Sequence, residues 1–228
     1  MDRRRFTLTA LTAVALGGAS VAVAASPPAE WDGLQRVRSS RSQSVYLLPG
    51  ADFRPYTKVM LDPTEVAFRR NWQRDFNSRS VRGLSGRITD ADVERMVDEG
   101  GKAATDIFTQ AFNTGGFPVV NAPGDDVLRV RTAIVNVTVT SPDRLTAGRS
   151  RTYAGEAGTA TLVIEARDSV SLALLGRAAD AQVAGDSSIF LNRTQMSNRA
   201  DFRALAQRWA RNAVSGLQQL KATSPVSG

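Results

Sequence analysis

The sequence predicts an α+β fold, a mostly antiparallel sheet with two amphipathic helices packed on one face. Two long stretches, one opening at Asp90 and the other after Ser197-Asn198, repeat their apolar residues at i, i+3, i+4 spacing. Between them, β-branched and alternating segments run from Val127 to Val183. Before the first helix lie short apolar runs, each ended by a proline or glycine turn. Strands, a helix, three or more antiparallel strands and a helix, in that order, are accommodated by helices layered on one side of a sheet.

Residues 1–25 stand apart from that pattern and read as a cleaved export signal. Asp2-Arg3-Arg4-Arg5-Phe6-Thr7 opens it with positive charge, and an uncharged stretch to Val23 carries Leu8, Leu11, Val14 and Leu16. Ala22-Val23-Ala24 supplies the small residues a signal peptidase accepts, which places cleavage at Ala22 and Ala24. A membrane-spanning helix needs about 20 mostly apolar residues, and this stretch is shorter and diluted by Thr, Gly and Ser. Arg3, Arg4 and Phe6 fit the R-R-x-F core of a twin-arginine signal; an ordinary Sec signal with three arginines is the alternative.

The chain contains no cysteine, so neither lipidation on Cys nor a disulfide is available to it. The expected location is therefore periplasmic or secreted, soluble and not lipidated. Removing residues 1–25 from the 228 leaves 203 residues, enough for one domain with a sizeable core, and lowers the formal charge from +7 to +5. No later apolar run reaches spanning length. The basic residues are almost all Arg, with Lys58, Lys102 and Lys221 the only lysines. Nucleic acid binding needs clustered charge against phosphates, and an exported protein is not expected to use it. Histidine is absent as well. Ser–His catalysis, cysteine nucleophiles and the common zinc and copper sites are thereby excluded. Carboxylate, Ser–Lys or oxygen-ligated cation chemistry stays open, and no cofactor is expected.

Within the mature chain, residues 26–44 are rich in Pro, Ser and Arg and read as a flexible arm, docked by Trp31 and Leu34. Residues 45–222 read as the single α+β domain. Ser44 to Leu48 is a short strand stopped by Pro49-Gly50, and Thr57 to Leu61 is another, ended at Asp62-Pro63 because the residue before proline is driven to extended geometry. Glu65 to Phe68 resumes it. Arg69 to Arg87 interleaves six arginines with Trp72 and Phe76, and is either a basic face for an anionic polymer or a solvated connection pinned by its two aromatics; the second reading is favoured.

Thr89 caps the first helix, with Asp90 and Asp92 in its first turn; Val93, Met96, Ile107, Phe108 and Phe112 lie in its stripe and Asn113-Thr114-Gly115-Gly116 stops it. Gly100, in the same stripe, is expected to let another element approach closely. Phe117 to Val120 reads as a short strand. From Val127 to Thr140 the apolar phase moves from Leu128 and Val130 to Val135, Val137 and Val139, which predicts a bulge near Thr132-Ala133. Ser141 to Gly158 reads as loop, Ala160 to Ala166 and Leu172 to Val183 as a hairpin, and Ala184 to Gln195 as loop. Ser197-Asn198 is expected to cap the last helix, whose face is Phe202, Leu205, Ala206, Trp209, Ala213, Leu217 and Leu220. Residues 223–228 read as a polar tail.

Two pairs of acids are the only candidates for catalysis, Asp62 with Glu65 around Pro63 and Glu165 with Asp168 at the hairpin. A glycosidase needs two carboxylates at a set separation across a cleft. Each pair also has a plain role as a turn former or strand-end charge, so no catalytic residue is assigned.

Tyr46-Leu47-Leu48-Pro49-Gly50-Ala51-Asp52-Phe53 and Tyr56-Thr57-Lys58-Val59-Met60-Leu61-Asp62-Pro63, with Glu65-Val66, resemble the bacterial envelope family known as domain of unknown function 3313. Asp90 to Val93, Glu165 to Ser169 and Asn198 to Phe202 are similar too, so the resemblance runs in order over roughly residues 31–221. It implies an exported protein or lipoprotein with no established activity, and so no functional residues to carry over. The chain departs from lipoprotein members in lacking the acceptor Cys, and it has Ser171-Leu172 where a Gly turn is usual. The reading is a non-enzymatic envelope protein that binds or assembles, with an envelope protein or an anionic envelope polymer as partner. The alternative is a carboxylate-dependent hydrolase acting on envelope glycan.

Overall fold

The chain begins its sheet with a hairpin. β1 (Glu30–Trp31) turns through Asp32-Gly33 into β2 (Leu34–Val37), both turn residues having positive φ, 54° and 79°. That is the backbone a two-residue hairpin demands, and Asp-Gly meets it at little cost. Residues 34–37, expected as part of a flexible arm, are thus a sheet strand with Leu34 fully buried. A computed structural model describes residues 28–79, 87–140, 152–154, 156–185, 191–193 and 195–227, so the export-signal residues Arg3, Arg4, Phe6, Ala22 and Ala24 lie outside the described residues.

β3 (Ser44–Leu47), β4 (Lys58–Leu61) and β5 (Glu65–Phe68) follow, then α1 (Trp72–Arg79) and α2 (Asp90–Thr114). α1 occupies the arginine-rich connection, where no helix was expected. Trp72 stacks on Phe68 at 4.3 Å between ring centroids, and the Asn77 amide pairs with both backbone groups of Ile88, which ties α1 to the start of α2. α2 begins with the expected Thr89, in a reciprocal capping box with Asp92, and ends at Gly115. A Cβ at Gly100 would make only ordinary contact with Val66, at 3.8 Å. The close approach is at Gly101, where a Cβ would stand 2.9 Å from the Thr64 carbonyl. There the Thr64 N–H donates to Thr105 Oγ1 and the Thr64 and Thr132 hydroxyls bond at 2.7 Å, so the polar groups buried by that approach are satisfied.

β6 (Val127–Val139), β7 (Thr152–Ala154), β8 (Gly158–Asp168), β9 (Leu174–Ala184), β10 (Leu191–Arg193) and α3 (Gln195–Thr223) complete the order. The main sheet runs β1-β2-β3-β9-β8-β6-β4, with β5 also beside β6; β7 and β10 pair separately, in stretches expected as loops. β4 and β5 run parallel to β6, and the other pairings between these strands are antiparallel. The expected strand at Phe117 to Val120 reduces to a single bridge, Val59 to Val119.

β6 is bulged, but at Asn136-Val137 and not at Thr132-Ala133. Both neighbouring strands step past an extra residue there, and Asn136 has φ 54°. The bulge moves the inward phase from Leu128, Val130 and Ile134 to Val137 and Val139. Val135 falls before it, in register with Thr161 on the opposite face.

α2 and α3 cover one face of the sheet, burying Phe108, Phe112, Leu205, Trp209 and Leu217 against Leu128, Val130 and Leu162. α3 begins at Gln195, earlier than the expected Ser197-Asn198 cap. Asn198 is buried inside the helix, and its amide points to the Ala157 carbonyl at 3.4 Å. Past α3, Val226 exchanges backbone hydrogen bonds with Gly50 and Ala51, so the polar tail is fastened beside β3. No helix among the described residues is long and apolar enough to cross a membrane.

Candidate functional site

Of the four carboxylates singled out in the sequence, three share the sheet face opposite α2 and α3. Asp62, just after β4, receives Nε of Arg129 at 3.0 and 3.1 Å and stands 3.4 Å from Nε of Arg131. Arg131 also reaches Glu65 at 3.3 Å, and in the β6–β8 register it lies opposite Glu165. Glu165 is 2% exposed and sits between two guanidinium groups, Arg177 Nε at 3.0 Å and Arg167 Nη2 at 3.3 Å. Arg177 continues the chain of charge to Asp32 at 2.8 Å and lies 4.1 Å from the ring centre of Trp31, which meets Tyr46 edge-on at 5.5 Å. The Tyr46 hydroxyl closes the group on the Pro28 carbonyl.

Asp168 is separate. It ends β8 in register with Leu128, where one oxygen accepts from Ser171 N at 2.7 Å, Ser171 Oγ and Val170 N, and the other accepts from Tyr56 OH at 2.9 Å. Those donors, Ser171 N foremost, hold its carboxyl below the ordinary range; burial and then the hydrogen bond to Asp168 push the Tyr56 phenol up. A general acid must be held protonated, and Asp168 is shifted the opposite way. Asp62 and Glu165 each lie against two guanidinium groups, in charge-assisted hydrogen bonds and ion pairs. No cleft brings all four acids together. Among the described residues no group of Asp and Glu is arranged to hold a metal ion. In the described part of the arginine-rich segment Trp72 is buried, and Arg69 and Arg74 both lie against Asp75 at 3.8 and 3.6 Å; residues 80–86, with Arg82, lie outside the described residues.

A recess that the sequence did not announce lies on the helix-covered side. It has a volume of 640 Å³ and is bounded by the β2–β3 loop, the sheet and the second half of α3, within the range of about 300–1,000 Å³ typical of small-molecule sites. Val45, Leu47, Leu162, Ile164, Ala178 and Leu217 line it, with Arg38, Ser39, Ser40, Arg41 and Ser42 around them. Asp180 positions one wall. Its buried carboxylate accepts from the Trp209 indole at 2.8 Å and from Gln43 N at 3.2 Å, so it holds α3 and the loop to the same strand. Arg41 bonds Gln219, and the Asn212 amide donates to the Arg41 carbonyl at 3.2 Å. The only local sign in the sequence was Gly216, within the second half of α3. The loop itself was read as arm. A smaller cleft of 340 Å³ lies between α2 and α3.

Sheet, paired helices and recess together define an α+β domain whose selected acids are engaged by arginine or by hydrogen-bond donors and whose apolar recess is open. The chain belongs to the family described as "Protein of unknown function (DUF3313)", whose model matches residues 24–213. No curated protein matches it. Among solved structures it is similar to the PelC dodecamer from Paraburkholderia phytofirmans, at 14% identity over 76% of this chain and 96% of that one, with a TM-score of 0.38. A protein from Xanthomonas campestris matched by the DUF330 family model is similar at 15% identity over 77% and 91% of the two chains, with a TM-score of 0.35. At these TM-scores neither likeness carries an argument about fold or activity.

Proposed function

We propose that the chain is a non-enzymatic protein of the bacterial cell envelope, exported by residues 1–25 through the twin-arginine route and acting by binding at the recess beneath the β2–β3 loop. The observation that carries this reading is a contrast of environments. The acids that a hydrolase would need are engaged by arginine or by backbone donors, whereas the recess is lined by apolar side chains with hydroxyl and guanidinium groups at its edge. Such a lining selects a ligand and performs no chemistry on it.

A photoreactive residue in place of Ser40 tests the reading in intact cells. The expected result is a defined adduct at the recess that disappears when Gly216→Leu fills it. Absence of any adduct, together with turnover of an envelope glycan by the purified protein that is lost in Asp62→Asn or Glu165→Gln, would establish the hydrolase instead.

A further inference from the structure

We infer that the ligand of this recess is a fatty acid, one acyl chain ending in a carboxylate; the assignment rests on the binding reading above and gives it a chemical class. The first observation is charge. Every charged residue lining the recess is an arginine, namely Arg38, Arg41 and Arg177, and no Asp or Glu lines it. The guanidinium of Arg177 is committed to Glu165 and Asp32 on the other face of the sheet, which leaves Arg38 and Arg41 at the edge. Both are exposed; Arg41 bonds the neutral Gln219 amide, and neither arginine forms an ion pair with an Asp or Glu among the described residues. A guanidinium presents paired N–H donors that match a carboxylate in a bidentate fork, and Ser39, Ser40 and Ser42 add hydroxyl donors beside it.

The second observation is Gly216. A glycine inside a helix lowers its stability, so a packing reason is normally found for it. Here a Cβ would meet nothing within 4 Å. Sterics do not require the glycine; what the missing side chain leaves is space in the recess. Ala178 and Ala213 line the same space with a single methyl each. The volume is therefore kept open at the expense of the helix, between an apolar wall and a cationic edge. That combination fits an amphiphile with one anionic end. A neutral lipid brings no anion to Arg38 and Arg41, and a sugar leaves the apolar wall unanswered.

Displacement of a fluorescent fatty acid by palmitate from the purified chain measures the predicted binding, with methyl palmitate and a lysophosphatidylglycerol of the same chain length as competitors. Palmitate is expected to compete at least about tenfold better than its methyl ester, and the double variant Arg38→Gln, Arg41→Gln is expected to remove that preference while leaving the ester unchanged. Gly216→Leu is expected to abolish binding of both, and Ala213→Leu provides a second block if the first variant melts early. Equal competition by acid and ester overturns the assignment, as does binding that survives both blocking variants in folded protein. Stronger competition by the lysophospholipid also overturns it, in favour of a phosphate head group. If palmitate does not bind while the Ser40 adduct persists in cells, the fatty acid assignment fails and the binding reading stands. Loss of both removes the two together.

Discussion

At the scale of single residues the informative groups are acids whose surroundings decide their role. Asp168 closes the β8–β9 hairpin, accepting two backbone N–H groups, a serine hydroxyl and a tyrosine hydroxyl. Because its folded-state carboxyl titrates below the unfolded value, its contribution is complete above the unfolded pKa of about 3.9 and is lost as the pH falls through the lower folded value. Asp168→Asn removes this dependence. Denaturation midpoints of wild type and variant are expected to separate above about pH 5, with the wild type the more stable, and to draw together toward pH 2. A gap that stays constant down to pH 2 would show that the carboxylate charge is irrelevant to the hairpin. Glu165 illustrates what residue-level reading misses. Its spacing from Asp168 drew attention to a hydrolytic pair, yet successive strand residues point to opposite faces. Three positions apart, the two lie on opposite sides of the sheet, one with arginines and one with Tyr56.

At the scale of elements, the bulge in β6 and the glycine facing it act as one unit. Gly158 has φ 152°, and a Cβ there would lie 1.9 Å from the Thr138 carbonyl, on the strand that has just been displaced by the extra residue. Gly158→Ala is therefore expected to cost about 2–4 kcal/mol from backbone strain and overpacking combined, measured by chemical denaturation. A loss below about 0.5 kcal/mol, the range of an ordinary surface change, would mean that the two strands do not meet this closely. The helices were legible because their apolar residues recur with the helical period, and Thr89 is the predicted N-cap, which the structure completes as a capping box with Asp92. The phase change in β6 was legible as well. Its position was not, since a period of two reports that a slip occurs and leaves the slipped residue open; Asn136 with positive φ is where it falls. Asp32-Gly33 is the strongest hairpin signal in the chain, and the Pro-, Ser- and Arg-rich composition around it obscured it.

For the whole molecule, the layered arrangement leaves the chain two distinct sides. Two helices seal one face of the sheet around an apolar core and a recess, and arginine–carboxylate pairs occupy the other. The proposed export of this domain is tested with the complete chain in cells. Replacing Arg3 and Arg4 by Lys is expected to leave unprocessed precursor in the cytoplasm, whereas unimpaired maturation would refute the twin-arginine route and leave export by another route intact. Composition alone removed every chemistry that depends on His or Cys, and periodicity alone specified an α+β fold with two amphipathic helices. Those properties are local or global sums, and no chain contact is needed to read them. The ion pairing of Asp62 and Glu165 with arginine and the existence of the recess were decided only by tertiary structure. β3 lies beside β9, pairing Tyr46 with Arg177, and α3 returns to the loop at Arg41. Contacts between segments so far apart in the chain leave no periodic trace in either, so the side-chain environments they create emerge only when the sheet closes.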